Sequence, residues 1–143
     1  MSVYTSTKII ELGSCAFRQW RASHSHCHLL HGYQLKAKFW IDGLYLDEKN
    51  WIFDFGGFKE IREQLQETFD HTVCVAADDP CLDLFKQLEA RDALKQKVFD
   101  AGVGIERAAE YVFGIVDKYI REKTSNRCWL RQVEIFEHED NSA

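Results

Sequence analysis

The sequence predicts an α+β fold in which helices cover one face of an antiparallel sheet. Three observations predict it. Residues 33–42 alternate, with Leu35, Ala37, Phe39 and Ile41 on one side and Gln34, Lys36, Lys38 and Trp40 on the other, the period of a strand with one buried face. After Gly56-Gly57 the period changes, and Phe58, Ile61, Leu65 and Phe69 fall on one helical face. Residues 129–138 then return to alternation. A chain of 143 residues suits one domain, residues 1–143, with a single core.

Taken in order, residues 3–12 are rich in β-branched side chains and read as the first strand. Gly13 and Ser14 interrupt it, and residues 15–22 continue it after a bulge. Residues 23–31 are polar and histidine-rich, a loop. The alternating second strand ends at the turn opened by Asp42-Gly43, and residues 50–55 are expected to form the next short strand. The helix that starts near Phe58 is closed by Asp70-His71, and residues 73–77 form a short apolar strand. Asp79 or Pro80 starts a second helix that runs to about Leu88. Residues 97–101 fit neither period. Gly104 opens the longest helix, with Ile105, Ala108, Ala109, Val112, Val116 and Tyr119 as its apolar stripe, ending near Lys123.

Several function classes are disfavoured by composition. A net charge of -5 argues against general nucleic-acid binding, which needs a basic surface. No run approaches the roughly 18 apolar residues of a membrane span. The polar first eight residues lack the apolar stretch of a signal peptide, so the expected compartment is the cytoplasm. Five cysteines, an odd number without a Cys-x-x-Cys pair, read as free thiols. Cys15, Cys74 and Cys128 sit in or beside apolar segments and are expected to be buried.

The densest chemical signal runs from Ser23 to Tyr33. Four of the six histidines, His24, His26, His28 and His31, surround Cys27 there. Neutral imidazole and thiolate suit a metal site. A thiol beside imidazoles also suits a nucleophile or an acid/base. A solvated polar loop accounts for the composition equally well. Further on, Asp70 beside His71 has the makings of a proton relay, the carboxylate orienting the imidazole. The same pair also makes an ordinary helix end. Glu137 shares a strand face with Val133 and Ile135 by the two-residue period. At a pocket rim, a carboxylate there is suited to accept two parallel N–H donors from a guanidine-like ring edge; at a solvated strand end it has no such role.

As an ordered set, these pieces resemble the 6-pyruvoyltetrahydropterin and 6-carboxytetrahydropterin synthase family. The matching residues are Cys27-x-x-Leu30-His31-Gly32, Phe53-Asp54-Phe55-Gly56 with Phe58-Lys59, and Phe69-Asp70-His71. They continue with Glu106, Ala109-Glu110-Tyr111-Val112-Phe113, and Val133-Glu134-Ile135-Phe136-Glu137. The resemblance implies a tunnelling fold, in which subunits pair their sheets around an oligomeric barrel, commonly as two stacked trimers, with active sites between subunits. It implies lyase action on 7,8-dihydroneopterin triphosphate. Carried over, Cys27 is the acid or base at the substrate side chain, and Asp70 and His71 are its proton relay. Glu137 anchors the pterin edge and Glu106 lies near the same ring. The short spacing from the first strand to Cys27 favours the branch that releases acetaldehyde and yields 6-carboxytetrahydropterin for deazapurine (queuosine-type) synthesis.

The resemblance breaks at the metal. Family members hold zinc with three histidines, one following a Phe-x-Ala-Ala stretch and two in a His-Gly-His motif. Here Arg21 is read at the first position and His31-Gly32-Tyr33 stands for the second, so only His31 remains. Zinc held by His31 with substitutes from His24, His26 or His28 is one expectation. A metal-free site, with Arg21 as electrophile and Arg18 and Arg21 facing a triphosphate, is the other. The alternatives to the carboxypterin activity are a non-catalytic pterin- or purine-binding protein of the same fold, 6-pyruvoyltetrahydropterin synthase activity, or an aldolase-like cleavage of dihydroneopterin.

Overall fold

Alternation along two long segments produces the central hairpin: β1 (Tyr4–Phe17) pairs antiparallel with β2 (His31–Gly43) from Tyr4 opposite Gly43 to Phe17 opposite His31. The computed structural model describes residues 2–143; Met1, the first of the polar N-terminal residues, lies outside them. The register shifts between Glu11 and Gly13. This bulge inserts Leu12 as an extra residue and switches the parity of β1. Ile10 and Leu12 before it, and Cys15 and Phe17 after it, are consequently all buried.

The other strands are β3 (Thr72–Ala76), β4 (Gln96–Phe99), β5 (Cys128–His138) and the two-residue β6 (Asn141–Ser142), in the sheet order β4-β3-β1-β2-β5-β6. β5 and β6 extend the antiparallel half. β3 runs parallel to β1, and β4 parallel to β3. The connections explain this difference. Helix α1 (Phe58–Phe69) leads from β2 to β3, which runs opposite to β2 and adds to the open edge of β1, so it lies parallel to β1; helix α2 (Leu82–Ala90) is a crossover from β3 to β4 and returns β4 in parallel. Residues 97–101, which fit neither period in the sequence, contribute to β4.

α1 packs with the face its sequence prescribes; α3 (Ile105–Lys123) does so in part, with Ile105, Ala109 and Tyr119 of the expected stripe only partly buried and Ile120, outside it, fully buried. α1 buries Phe58, Ile61, Leu65 and Phe69, and α3 buries Ala108, Val112, Val116 and Ile120. They cover the sheet face formed by Leu35, Ala37, Phe39 and Ile41. Among the described residues no helix is long and apolar enough to cross a membrane.

The strand expected over residues 50–55 does not form. Asp47 Oδ1 instead accepts from the N–H groups of Lys49 and Trp51, and Asp54 caps a 3-10 turn at Phe55–Gly57. The Arg127 guanidinium donates to the carbonyls of Tyr45, Trp51 and Ile52. A side chain thus satisfies carbonyls that a strand neighbour would otherwise take. Similarly, α2 starts at Leu82 rather than at Asp79 or Pro80, because the Asp79 side chain is used inside the turn, accepting from the Cys81 N–H.

Phe58 is fully buried between Phe39 and Phe53, with ring centroids at 6.0 and 5.0 Å. Phe58→Ala is expected to cost about 3–5 kcal/mol through the cavity it leaves. Urea unfolding followed by circular dichroism checks this.

Candidate active site

The bulge that re-phases β1 also builds the first half of the site. Gly13 has φ 109°, and a Cβ there would lie 2.2 Å from Asp70 Oδ1, so glycine alone lets the aspartate approach. The Ser14 N–H donates to Asp70 Oδ1 at 2.9 Å, and the His71 N–H donates to the Ser14 carbonyl at 2.6 Å. Asp70 Oδ2 then meets His71 Nδ1 at 3.0 Å. The Ser14 N–H, followed by the His71 contact, holds the Asp70 carboxyl below its ordinary range. His71 adopts a left-handed backbone (φ 54°) as the chain leaves α1, and its side chain is 86% exposed. The result is an imidazole oriented by an anchored carboxylate and open to a ligand.

The second half lies where the hairpin opens. Residues 18–30 connect β1 to β2, and Cys27 sits in a 3-10 turn at His26–His28 whose N-cap, Ser25, accepts from the Cys27 N–H. The Cys27 carbonyl accepts from the Gln19 N–H, which closes the loop on itself. Behind it, Phe17 and Tyr33 stack at 4.1 Å with 6° between their planes, and Tyr33 Oη is 2.8 Å from His31 Nε2. Burial, reinforced by the negative charge available to Cys27, Glu137 and Cys15, pushes the Tyr33 phenol up to about 12. Glu137 is half-buried two residues beyond the buried Ile135, which pairs with Ala37, and its Oε1 accepts from the Asn141 amide at 3.0 Å. Tyr33 and His31 thus form one group where the hairpin opens, with Glu137 on the same sheet face and Cys27 on the connecting loop, and Asp70 with His71 form another. No hydrogen bond joins the two groups within the described residues of one chain.

The residues present do not fit the zinc expected from the resemblance. His31 Nε2 is engaged by a phenol. His24 and His26 are exposed on the loop, and His28 Nδ1 donates to the Ser25 carbonyl. Among the described residues no three His, Cys, Asp or Glu side chains come together as a metal site needs. Arg21, read at the first histidine position, lies apart from the His31–Tyr33 pair. The β1 residues opposite Tyr33 and His31 are Cys15 and Phe17, whereas Arg21 lies beyond the strand end, bonded to Asp78 at 2.9 Å and stacked on Trp20. That strand ends at Phe17 rather than running on to residue 22.

Arg18 is likewise committed. Its guanidinium grips both oxygens of Asp79, at 2.8 and 3.0 Å, and donates to the His28 carbonyl. The Asp79 side chain is 1% exposed. Burial alone would raise its carboxyl, but Arg18 and the Cys81 N–H outweigh this and hold it below the ordinary range. Glu106 is exposed in the first turn of α3, next to Gly104, against which the Gln19 amide packs. Cys15, Cys74 and Cys128 are buried, as their apolar flanks indicate. The sequence patterns do not single out Phe17 and Tyr33; two aromatic residues flanking a histidine-rich loop between two strands are the signal that could have found them.

Comparison with known proteins gives a consistent result. The model of the family described as 6-pyruvoyl tetrahydropterin synthase matches residues 11–143. No curated protein sequence matches significantly. Among solved structures, an uncharacterized protein from Wolinella succinogenes has a TM-score of 0.85 at 16% identity, covering 100% of this chain and 97% of that one. The 6-pyruvoyltetrahydropterin synthase of Plasmodium vivax has 0.69 at 14%, covering 98% and 96%. That of Caenorhabditis elegans has 0.65 at 19%, covering 100% and 94%. At these identities the likeness establishes the fold.

Two outcomes follow from the anchors. Gly13→Ala is expected to cost about 1–3 kcal/mol, from its left-handed backbone and the displaced carboxylate, and to loosen the Asp70–His71 contact, which histidine NMR titration reads. Asp79, depressed in the folded state, contributes stability that is full above its ordinary carboxylate value near 4 and is lost as pH falls through the lower folded value. Asp79→Asn should accordingly be less stable than wild type at pH 7 and lose less between about pH 4 and 2, measured by urea unfolding across that range.

Proposed function

Because the chain belongs to the 6-pyruvoyl tetrahydropterin synthase family, whose model spans residues 11–143, we propose that it is a pterin-processing lyase. Its substrates in this reading are 7,8-dihydroneopterin triphosphate and water, and its products are 6-carboxytetrahydropterin, acetaldehyde and triphosphate. The observation that carries the reading is the Asp70–His71 pair, an imidazole held at 3.0 Å by a carboxylate that the Ser14 N–H anchors, yet open to solvent. A histidine built so deliberately into the surface is suited to take and return a proton on a bound ligand.

The remaining roles follow from chemistry and position. Glu137, on the face continued from Val133 and Ile135, accepts the 2-amino and ring N–H donors of the pterin. Cys27 provides the thiol at the substrate side chain, as acid or base. The two groups of side chains meet across an interface in a homo-oligomer, two stacked trimers in the family pattern, so that His71 of one copy serves Cys27 of another. The proposed setting is the cytoplasm. A second reading is a pterin-binding protein without turnover. The unfit metal donor set supports it, since a family member that has lost its electrophile can still hold the ring.

Incubation with dihydroneopterin triphosphate, followed by chromatography for acetaldehyde and 6-carboxytetrahydropterin, tests both. Turnover is expected, falling by about 10²-fold or more in His71→Ala and Cys27→Ala while the fold is kept. Tight pterin binding without product would favour the second reading. Neither binding nor product would sink both.

A further inference from the structure

Where the resemblance places three imidazoles around a metal ion, the chain builds an aromatic and hydrogen-bonded device. Phe17 stands opposite His31 in the β1–β2 register, and Cys15 opposite Tyr33, so the four side chains share one face of the sheet. Phe17 lies flat against Tyr33 at 4.1 Å, and the His31 ring tilts over the Tyr33 ring at 4.4 Å. The contact of Tyr33 Oη with His31 Nε2 at 2.8 Å completes the group. Phe17 offers no donor atom to a cation, and a phenol binds one well only after losing its proton. The arrangement is nonetheless highly ordered. The stack fixes the plane of the phenol, and the imidazole fixes its oxygen.

We propose that the Tyr33 hydroxyl, held by His31 and by stacking on Phe17, is the hydrogen-bond donor to the side-chain oxygens of the bound pterin, in the place where other family members present a metal ion. The inference rests on the pterin reading given above. With His31 protonated at Nε2 and donating to Tyr33 Oη, the phenolic hydrogen is directed away from the imidazole and toward a ligand. Donation from the imidazole also polarises the O–H and strengthens it as a donor. No proton is transferred in this role. The hydroxyl polarises the oxygen, and the proton transfers belong to Cys27 and to Asp70 with His71. Tyr33 is suitably placed, because it shares a sheet face with Glu137: Ala37, four residues on, pairs with Ile135, two residues before Glu137. Tyr33 is only partly buried, which leaves its hydroxyl a path to a ligand. His31 is a positioning residue, acting through the oxygen that it holds.

The test compares affinities, so that it does not depend on turnover. Binding of 7,8-dihydroneopterin, which has the side-chain hydroxyls, is measured by fluorescence alongside binding of pterin unsubstituted at position 6. Tyr33→Phe keeps the ring and its stack and removes the hydroxyl alone. It is expected to lower the preference for dihydroneopterin by about five- to tenfold, the worth of one hydrogen bond, and to leave affinity for unsubstituted pterin unchanged. His31→Gln should lower the same preference part of the way while thermal unfolding shows an intact fold. Elemental analysis after incubation with zinc sulfate and gel filtration should find well below one zinc per chain. An unchanged preference in Tyr33→Phe would overturn the role of the hydroxyl. Stoichiometric zinc that is lost in His31→Gln would show that a metal site exists after all. Failure of the pterin reading itself is distinguishable, since the wild-type chain would then bind neither ligand, and the inference would fall with it.

Discussion

One extra residue in the first strand organises the rest of the molecule. Without the bulge at Leu12 and Gly13, a strict two-residue period would turn either Ile10 and Leu12 or Cys15 and Phe17 out of the core. With it, both pairs point inward. The same irregularity frees the Ser14 N–H and carbonyl on the side of β3, where Asp70 and His71 take them. Core packing at one end of the strand and the orientation of the exposed imidazole are therefore two results of a single backbone event, and glycine at φ 109° makes that event possible.

The proposed site divides into parts with different physical demands. Asp70 and His71 need orientation and access, which a carboxylate anchored by a backbone N–H supplies without burying charge. Tyr33 and Glu137 lie on a partly dry sheet face, with Cys27 on the loop at its end. That face is kept dry by Phe17 and by the helices that cover Leu35 and Ala37. Arg18 belongs to neither part. By gripping Asp79 and the His28 carbonyl it ties the loop that carries Cys27 to the turn before α2, so its positive charge is spent on structure.

Much of this was legible in the sequence where a period or a local signal decides the outcome. The face of α1 and part of that of α3 follow from 3.6-residue spacing, the bulge from a glycine inside a strand pattern, and the face of Glu137 from alternation. What escaped depends on partners distant in sequence. The parallel attachment of β3 and β4 is set by which edge of β1 was left open, and residues 50–55 lose their strand to Arg127, more than seventy residues away. The separation of Arg21 from His31, and the stacking of Phe17 on Tyr33, were not legible, because position in a linear motif does not say which side chains face each other across a register. The pairing of Phe17 with His31 does.

The loop that holds Cys27 is also the connection between the two most extensively paired strands, and this bears on how the protein folds. Closing β1 onto β2 over residues 18–30 spans little sequence, and each pair formed shortens the search for the next, whereas β5 must return from beyond α3 to join β2. Local closure is faster than distant closure. The thiol and the phenol should therefore be brought together early, at the zipping of a hairpin, and the Asp70–His71 pair added only when α1 and β3 dock against its edge. Assembly of the site would then follow the order in which the sheet grows.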